Sequence, residues 1–384
     1  MLSVRTKWDI KSNGDLTRIR MHLHQNPELS NCESETRLFI KEMLSYFNPD
    51  RIMDLASEKS LAFIFNDNPE LPTVVFRAEL DALPIHESNT FDHCSINEGV
   101  AHSCGHDGHM TILLGLVSEL DSSPVSGLRV VLLFQSAEET GEGALDVVND
   151  KQFAALNPEY IFAFHNIPGK PRNQIIIKEE GFTSASKGII IQLKGKTSHA
   201  AYPEDGINPD LAIADIIQEF NSYSNSSVHS IITVVHVLLG EIAFGTAAGY
   251  AEIRATLRSD GNDSMSELTQ QIEFLVYELA RKYKLESEIH YSEEFFAVSN
   301  NKSAALIVET AARQLELDIE ILQEPYKWSE DFSHYSKKYK SALIGIGSGV
   351  TQPQLHNSNY DFPDEITETG IKVFHHILKI IEKN

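Results

Sequence analysis

The fold class is decided by three consecutive segments: TVVFRAEL (residues 73–80), MTILLGLVSEL (110–120) and LRVVLLFQ (128–135). The first and the third are short, largely apolar runs, which is typical of strands buried on both faces of a parallel sheet. The second has the apolar spacing of a helix and follows a glycine-bearing loop. IFAFHN (161–166) predicts another strand, and strands that alternate with helices predict a layered α/β domain.

The pattern changes about half-way along the chain and predicts a second domain. Between residues 187 and 295 the predicted elements follow the order β-α-β-β-α-β, which is the order of a ferredoxin-like unit. The α/β pattern returns in residues 302–383 with a helix, a strand that ends in glycines and a closing helix. We therefore expect a catalytic domain of residues 1–181 and 292–384, interrupted by an inserted lid and dimerisation domain of residues 182–291.

Composition excludes several classes of protein. The 384 residues include 32 Lys and Arg against 55 Asp and Glu, which gives a net charge of −23. A surface this acidic repels phosphate backbones and anionic lipids, so neither nucleic acid nor a membrane is an expected partner. Three cysteines cannot form a disulfide scaffold, and the N-terminal sequence has no apolar signal-peptide core, so we expect a cytoplasmic protein.

The densest group of reactive side chains is HSCGHDGH at residues 102–109. Five potential metal ligands fall within these eight residues: His102, Cys104, His106, Asp107 and His109. Imidazole, thiolate and carboxylate are the groups that bind borderline divalent metals. The alternatives are a surface run of histidines with a buried cysteine, and a closed structural zinc site.

Further acids and histidines lie at or just beyond predicted strand ends: Asp81, Glu138, Glu139, His165 and His356. Ligands of open α/β sheets bind outside the carboxyl ends of the strands, so together these side chains predict one cleft. Taken singly, each is better explained as a hydrogen-bonded polar group at a strand end. Glu138 and Glu139 are neighbours whose side chains diverge, so one can bind a metal while the other reaches a reacting water. The alternative for this pair is an exposed acidic turn.

The inserted domain contributes two candidates. His199, in the loop GKTSHAAYP, is either a solvated side chain or a donor that stabilises the oxyanion of a tetrahedral intermediate. Arg258, at the end of YAEIRATLR, is either a solvated arginine or a residue that binds a substrate carboxylate through paired hydrogen bonds.

Eight segments in a fixed order resemble the M20 metallopeptidase family in its amidohydrolase branch. That branch includes aminoacylase-like enzymes, hippurate hydrolase, plant auxin-conjugate hydrolases and N-acetyl-diaminopimelate deacetylase. The resemblance extends over nearly the whole chain and implies a zinc-peptidase-like catalytic α/β domain with an inserted ferredoxin-like domain. The segments are LHQNPELS, RAELDALPI, HSCGHDGHM, SAEETGEGA, FHNIPG, GKTSHAAYP, SEDFSHY and LHNSNYDFPDE.

The resemblance also implies roles for single residues. Two divalent metal ions would bind in each subunit, zinc or manganese in the first place and cobalt or nickel as further candidates. Glu138 would be the general base and acid, Asp81 a further catalytic residue, and His199 a donor that acts in its own or the partner subunit's site. The implied metal ligands are Cys104, His106, Glu139, His165 and His356.

The predicted function is metal-dependent hydrolysis of the amide bond of an N-acyl amino acid or a similar small conjugate, through a metal-activated water. Family resemblance implies a homodimer or larger homo-oligomer. The alternatives are a dipeptidase or aminopeptidase of the same family, and a binding protein that keeps the metal cleft without turnover. Glu79 occupies the place of a ligand histidine of the aminopeptidase branch, which favours the amidohydrolase branch. Two positions depart from the family pattern: Gly245 lies where an asparagine is usual, and Asn208 lies where an aspartate usually precedes proline. Because Gly245 belongs to the inserted domain, neither the acyl group nor the amino acid is assigned.

Overall fold

The computed structural model describes residues 13–227 and 229–383, and the chain divides into two compact units. The first unit comprises the described residues up to Phe182 together with 298–324 and those from Asp331 onward. The second comprises Thr183–Ala297 and Pro325–Glu330. The boundary expected at residue 291 falls inside a strand, Glu286–Phe295, and the structure assigns that whole strand to the second unit.

The helices lie where apolar residues recur at helical spacing, and each predicted helix is present within a few residues of its expected bounds. They are α1 (Asn13–Gln25), α2 (Ser34–Ser45), α3 (His106–Ser122), α4 (Gly143–Asn149), α5 (Lys151–Ala155), α6 (Asp210–Ser226), α7 (Asn262–Tyr283), α8 (Lys302–Gln314), α9 (Ser333–Ser336) and α10 (Thr367–Lys383).

The strands are of two kinds, longer strands and short pairs that the sequence patterns do not predict. They are β1 (Arg51–Leu55), β2 (Ser60–Phe65), β3 (Thr73–Glu79), β4 (Arg129–Gln135), β5 (Tyr160–Pro168), β6 (Ile175–Ile177), β7 (Glu180–Gly181), β8 (Ala185–Lys194), β9 (Ser198–His199), β10 (Ser230–Leu239), β11 (Thr246–Ala247), β12 (Tyr250–Ser259), β13 (Glu286–Phe295), β14 (Ser299–Asn300), β15 (Ile319–Ile321) and β16 (Lys340–Gly349).

An eight-stranded sheet, in the order β1-β2-β4-β3-β5-β16-β6-β15, forms the centre of the first unit. Its four middle strands, β4, β3, β5 and β16, are parallel to one another, whereas β2 and β6 pair with them in the antiparallel sense. Every residue of β3 and β4 is buried, which explains why their sequences are almost continuously apolar. The α/β class predicted from these runs is confirmed.

Helices cover both faces of this sheet. The largest apolar core lies on the face that carries α1, α3, α8 and α10, with Phe76 and Phe374 in ring contact at 4.5 Å between centroids. The short helices α4, α5 and α9 pack beside the other face. The carboxyl edge of the parallel strands lies where Glu79, Gln135, Pro168 and Gly349 end β3, β4, β5 and β16.

The second unit is built on a separate four-stranded antiparallel sheet in the order β10-β12-β8-β13. With the sequence order β8-α6-β10-β12-α7-β13, this is the ferredoxin-like arrangement that the pattern predicts. Apolar residues of alternate positions, such as Ile189, Ile191, Ile253 and Leu257, form a core with α6 and α7. A two-stranded ladder of β9 and β11 pairs His199 with Thr246.

None of the helices in the described part of the chain is long and apolar enough to cross a membrane.

The close approach between Gly143 and the turn after β4 can be tested by substituting the glycine. A Cβ at this position would lie 1.6 Å from the carbonyl oxygen of Ser136, and backbone atoms cannot give way as a flexible side chain can. We expect Gly143→Ala to lower the free energy of unfolding by about 1–3 kcal/mol or more, measured by urea titration. The control is Gly245→Ala, because an added Cβ there meets no described heavy atom within 4 Å. Equal losses in the two variants would contradict the close approach.

Candidate metal centre

The loop of residues 102–109 brings its reactive side chains to the carboxyl edge of the sheet in a buried position. Gly105 has a φ of +96°, a left-handed conformation that glycine adopts without the strain of a Cβ atom. Gly108 packs against the ring of Phe362, and an added Cβ would lie 2.3 Å from that ring. Gly105 is therefore required by backbone conformation and Gly108 by the close approach of Phe362, and this turn into α3 holds Cys104 and His106 in fixed directions.

His106 has one ring nitrogen anchored and the other directed at two carboxylates. Its Nδ1 donates to the backbone carbonyl of Asp81 at 2.9 Å, and its Nε2 lies 3.9 Å from both Glu138 Oε2 and Glu139 Oε1. Burial alone lowers the pKa of His106, but the charges of Glu79 and Asp81 outweigh burial and raise the pKa to about 10. A metal that binds Nε2 must therefore displace a proton.

Cys104 and His165 face each other across the same space. The Cys104 Sγ atom lies 3.6 Å from His165 Nε2, and both residues are buried. The other ring nitrogen of His165 donates to the carbonyl oxygen of Asn166 at 3.1 Å, which leaves the Nε2 lone pair directed towards the sulfur. Burial and the neighbouring His109 lower the pKa of His165 to about 3, so the ring is neutral and suited to bind a metal.

The two glutamates occupy the turn after β4, and their carboxylates reach different neighbours. Glu139 donates its backbone N–H to Asp81 Oδ2 at 2.9 Å, and its Oε2 lies 3.8 Å from His356 Nε2. Glu138 is buried, and its Oε1 accepts the backbone N–H of Asp331 at 3.4 Å. The turn is therefore not an exposed acidic turn, since one of its two carboxylates is buried and both lie beside His106.

Asp81 and His356 complete the predicted set. Asp81 is fully buried, and its Oδ2 also accepts the hydroxyl of Ser30 at 2.7 Å. Burial alone would raise the pKa of this carboxyl, but the hydrogen bond and charge of His106 hold it below its usual range. His356 has a left-handed backbone with φ of +63°, donates its N–H to the Ser103 carbonyl and leaves its side chain 54% exposed, at the rim of the cluster.

This donor set fits divalent metal ions. Nε2 of His106 is buried and has no hydrogen-bond partner within the described residues, which is costly unless another group binds there. Three overlapping groups have their ligand atoms within 4.8 Å of one another, and thiolate, imidazole and carboxylate together suit borderline metals. The groups are Cys104, His106 and His165; Cys104, Glu139 and His356; and His106, Glu138 and Glu139.

Glu79, His106 and His109 form a further group of this kind, but the ligand atoms of Glu79 and His109 are already engaged. Arg77 pairs with Glu79, and its Nη2 lies 2.6 Å from Asp331 Oδ1. His109 places Nδ1 at 2.7 Å from Glu79 Oε2 and Nε2 at 2.6 Å from Asn166 Oδ1. This set is therefore a buried ion-pair network beside the metal centre.

A second buried network stabilises the other side of the loop. Arg20 of α1 is 1% exposed and lies 3.0 Å from Asp107 and 2.7 Å from both Asp361 and Asp364. His24 places Nδ1 at 2.9 Å from Asp107 Oδ2. Burial lowers the pKa of His24, but its hydrogen bonds to Asp107 and Glu87 outweigh burial and raise it to about 9. Asp107 therefore binds Arg20 and His24, and it is not placed among the candidate ligands.

The two candidates of the second unit have partners within that unit. His199 is exposed, and its Nδ1 accepts the backbone N–H of Ala201 at 3.0 Å, so a neutral ring carries its hydrogen on Nε2. Arg258 is half-buried and donates to the carbonyl of Lys327 at 3.0 Å, so part of its hydrogen-bonding capacity is already used.

Sequence reasoning did not find Arg77, Asn166, Arg20 or Tyr360 as parts of the site. Only Arg77 carried a usable signal, because a charged residue in an otherwise apolar buried strand requires a carboxylate partner nearby. Asn166 and Tyr360 are fully buried polar residues, but the sequence around them does not indicate that burial.

Comparisons with known proteins give one consistent picture. The chain is 29% identical over 379 residues to an uncharacterized hydrolase of Staphylococcus epidermidis, covering 95% of this chain and 97% of that one. It is 28% identical over 368 residues to an N-acetyldiaminopimelate deacetylase of Lactobacillus helveticus, covering 93% and 94% of the two chains. The crystal structure of the Bacillus subtilis YXEP protein, described as a dinuclear metal binding peptidase of the M20 family, superposes with a TM-score of 0.84 at 24% identity, covering 97% and 98%.

The family model described as peptidase family M20/M25/M40 matches residues 75–380, which include the whole loop of residues 102–109, the Glu138–Glu139 turn and His356. The matched region begins in β3 and ends in α10, so it includes the carboxyl edge of the parallel strands and the entire second unit. The chain therefore belongs to peptidase family M20/M25/M40 and is a hydrolase, as its ordered motifs predict.

Proposed function

We propose that this chain hydrolyses the amide bond of N-acyl amino acids or similar small conjugates, using two divalent metal ions. The observation that supports this most directly is the position of His106 Nε2, a buried nitrogen without a hydrogen-bond partner in the described chain that faces both Glu138 and Glu139. Cys104, His106, Glu139, His165 and His356 would hold the ions. Bound ions supply Lewis-acid chemistry to the carbonyl and to water.

Glu138 has the properties required of the proton carrier. Its carboxylate is buried beside His106, and one of its oxygens is fixed by the backbone N–H of Asp331. In the proposed reaction it accepts a proton from the attacking water as the new C–O bond forms at the amide carbon. It then gives that proton to the nitrogen as the C–N bond breaks, so that the acid and the free amine leave. Asp81 orients His106 and the Glu139 backbone during both steps.

His199 would stabilise the oxyanion. Because the Ala201 N–H occupies Nδ1, the neutral ring presents an N–H donor at Nε2, as an oxyanion donor requires. Its place in this reaction, in its own or in a partner subunit's site, rests on the family resemblance.

The substrate class follows from the relatives and from Arg258. N-acetyldiaminopimelate deacetylases of Lactobacillus helveticus and Bacillus pumilus are each 28% identical to this chain, and the compound in their name is an N-acyl amino acid. A guanidinium binds carboxylates through a planar fork, so Arg258 would bind the carboxylate of the amino-acid part. One residue argues against an aminopeptidase. At the position where that branch has a ligand histidine, this chain has Glu79, which pairs with Arg77.

We also propose that the active form is a homodimer joined through the second unit. Strand β10 lies at one edge of its sheet and exposes Val235, Val237, Leu238 and Leu239. An exposed apolar edge strand is a template for pairing with another strand. Strand β10 of a second copy of the chain can pair with it in a twofold-symmetric arrangement.

The proton-carrier role of Glu138 is tested by Glu138→Gln. We expect full metal content and an unchanged melting temperature, with kcat lowered by roughly 10²–10⁴-fold because the amide cannot accept the proton. The control is Glu142→Gln, since Glu142 lies in the same acidic segment but is exposed. A metal-loaded Glu138→Gln enzyme with near-wild-type turnover would contradict the proposed role.

The substrate class is tested on enzyme stripped of metal and reconstituted separately with zinc, manganese, cobalt or nickel. N-acetyl and N-benzoyl amino acids, N-acetyldiaminopimelate and dipeptides are compared by release of the free amine. We expect kcat/KM for at least one acyl amino acid to exceed that for dipeptides by roughly 10-fold or more, and the chelated enzyme to be inactive. Preference for dipeptides would favour the peptidase alternative, and no hydrolysis with any metal would favour the binding protein.

Sharing of His199 between subunits is tested by mixing His199→Ala with Glu138→Gln. If His199 serves the partner's site, each heterodimer contains one site with both residues, and activity returns to roughly a quarter of the wild-type value in an equal mixture. Native mass spectrometry establishes that heterodimers have formed. Heterodimers without activity would show that His199 acts within its own subunit, and an active His199→Ala homodimer would show that it has no role in the reaction.

A further inference from the structure

Asn166 follows His165 on β5, and its side-chain amide is held at both ends. The residue is fully buried. Its Oδ1 lies 2.6 Å from His109 Nε2, and its Nδ2 donates to the hydroxyl oxygen of Tyr360 at 2.5 Å. His109 is fixed in turn by Glu79 at 2.7 Å, and Glu79 pairs with Arg77. The amide therefore cannot rotate without breaking hydrogen bonds to two different segments of the chain.

The same side chain fills the space beside Gly105. A Cβ on Gly105 would lie 2.7 Å from Asn166 Oδ1 and 2.9 Å from Nδ2. Gly105 is the residue between Cys104 and His106, and its left-handed φ of +96° sets the directions of both neighbours. The amide of Asn166 thus packs directly on the peptide that determines how far apart these two side chains lie.

The backbone of Asn166 controls the third side chain. Its carbonyl oxygen accepts the hydrogen of His165 Nδ1 at 3.1 Å, so Nε2 of that ring is the nitrogen directed at Cys104. One residue therefore contacts the loop that carries Cys104 and His106 through its side chain, and His165 through its main chain.

We propose that Asn166 is a positioning residue that sets the relative geometry of Cys104, His106 and His165, an inference that rests on the metal centre proposed above. Asn166 itself is not a ligand, because both ends of its amide are used by His109 and Tyr360. Removing the side chain would leave those two buried groups unpaired and open a cavity against Gly105. The loop could then relax towards β5 and change the distance between Cys104 and His165.

The test measures metal binding apart from turnover. Wild type, Asn166→Ala and Tyr360→Phe are each loaded with Co²⁺, and affinity is measured by competition with a chelator. The absorption of the cobalt complex reports the geometry of the site, including the thiolate-to-cobalt band that depends on Cys104. We expect Asn166→Ala to lower Co²⁺ affinity by about 10–100-fold and to shift this band, as loss of groups that orient metal ligands typically does. Tyr360→Phe, which removes one of the two anchors, should show a smaller change in the same direction.

Asn300 provides a matched control. It is 2% exposed in the same unit, and its amide also bridges two segments, donating to the carbonyls of Lys178 at 3.0 Å and Leu343 at 2.9 Å. Asn300→Ala should lose comparable stability but keep the wild-type cobalt spectrum and affinity.

The possible outcomes separate this inference from the metal centre itself. Unchanged affinity and spectrum in Asn166→Ala, or equal changes in Asn300→Ala, would overturn the positioning role while leaving the metal centre intact. A wild-type chain that binds no Co²⁺ would overturn the metal centre instead. If Asn166→Ala does not fold, Tyr360→Phe decides, and a wild-type spectrum and affinity in that variant would count against the proposal.

Discussion

The rest of the site depends on the ion pairs and hydrogen bonds that the buried guanidinium of Arg77 makes. It pairs with Glu79 at the end of β3, donates to Gln135 at the end of β4 and lies 2.6 Å from Asp331. Asp331 in turn accepts the N–H of Ala144 and, through its own N–H, holds a carboxylate oxygen of the proposed proton carrier. Removing one partner from such a buried set typically costs about 3–5 kcal/mol, because the remaining charges lose their compensation. One cation therefore allows several carboxylates to be buried at a single sheet edge.

Much of the architecture could be predicted because local patterns in the sequence indicate it. The apolar runs of β3 and β4 require burial on both faces, and they lie in the middle of a parallel sheet. The ferredoxin-like order follows from the succession of strand and helix patterns, β-α-β-β-α-β, between residues 187 and 295. Asp81 and Glu139, which follow β3 and β4, lie together for a general reason, since the carboxyl ends of parallel strands meet at one edge.

The remaining features depend on contacts between distant parts of the chain, which local sequence patterns do not indicate. Arg20 lies on an amphipathic helix, where an arginine is ordinarily solvated, yet its partners Asp361 and Asp364 are more than 340 residues away along the chain. His24, on the same helix, is buried in the same network through its contact with Asp107. The domain boundary expected at residue 291 cuts the strand that the pattern itself predicts up to residue 295, and the structure keeps β13 whole within the second unit.

The pairing of β5 with β16 determines the order in which the chain can fold during synthesis. The strands of the second unit all lie within residues 185–295, so they can pair as soon as they leave the ribosome. The central sheet can be completed only later, since β5 ends at Pro168 and its neighbour β16 begins at Lys340. Arg20 waits longer still for its C-terminal partners. A nascent chain paused in this interval carries the paired strands of the second unit and also an open edge along β5, the kind of intermediate that chaperones protect from misassociation.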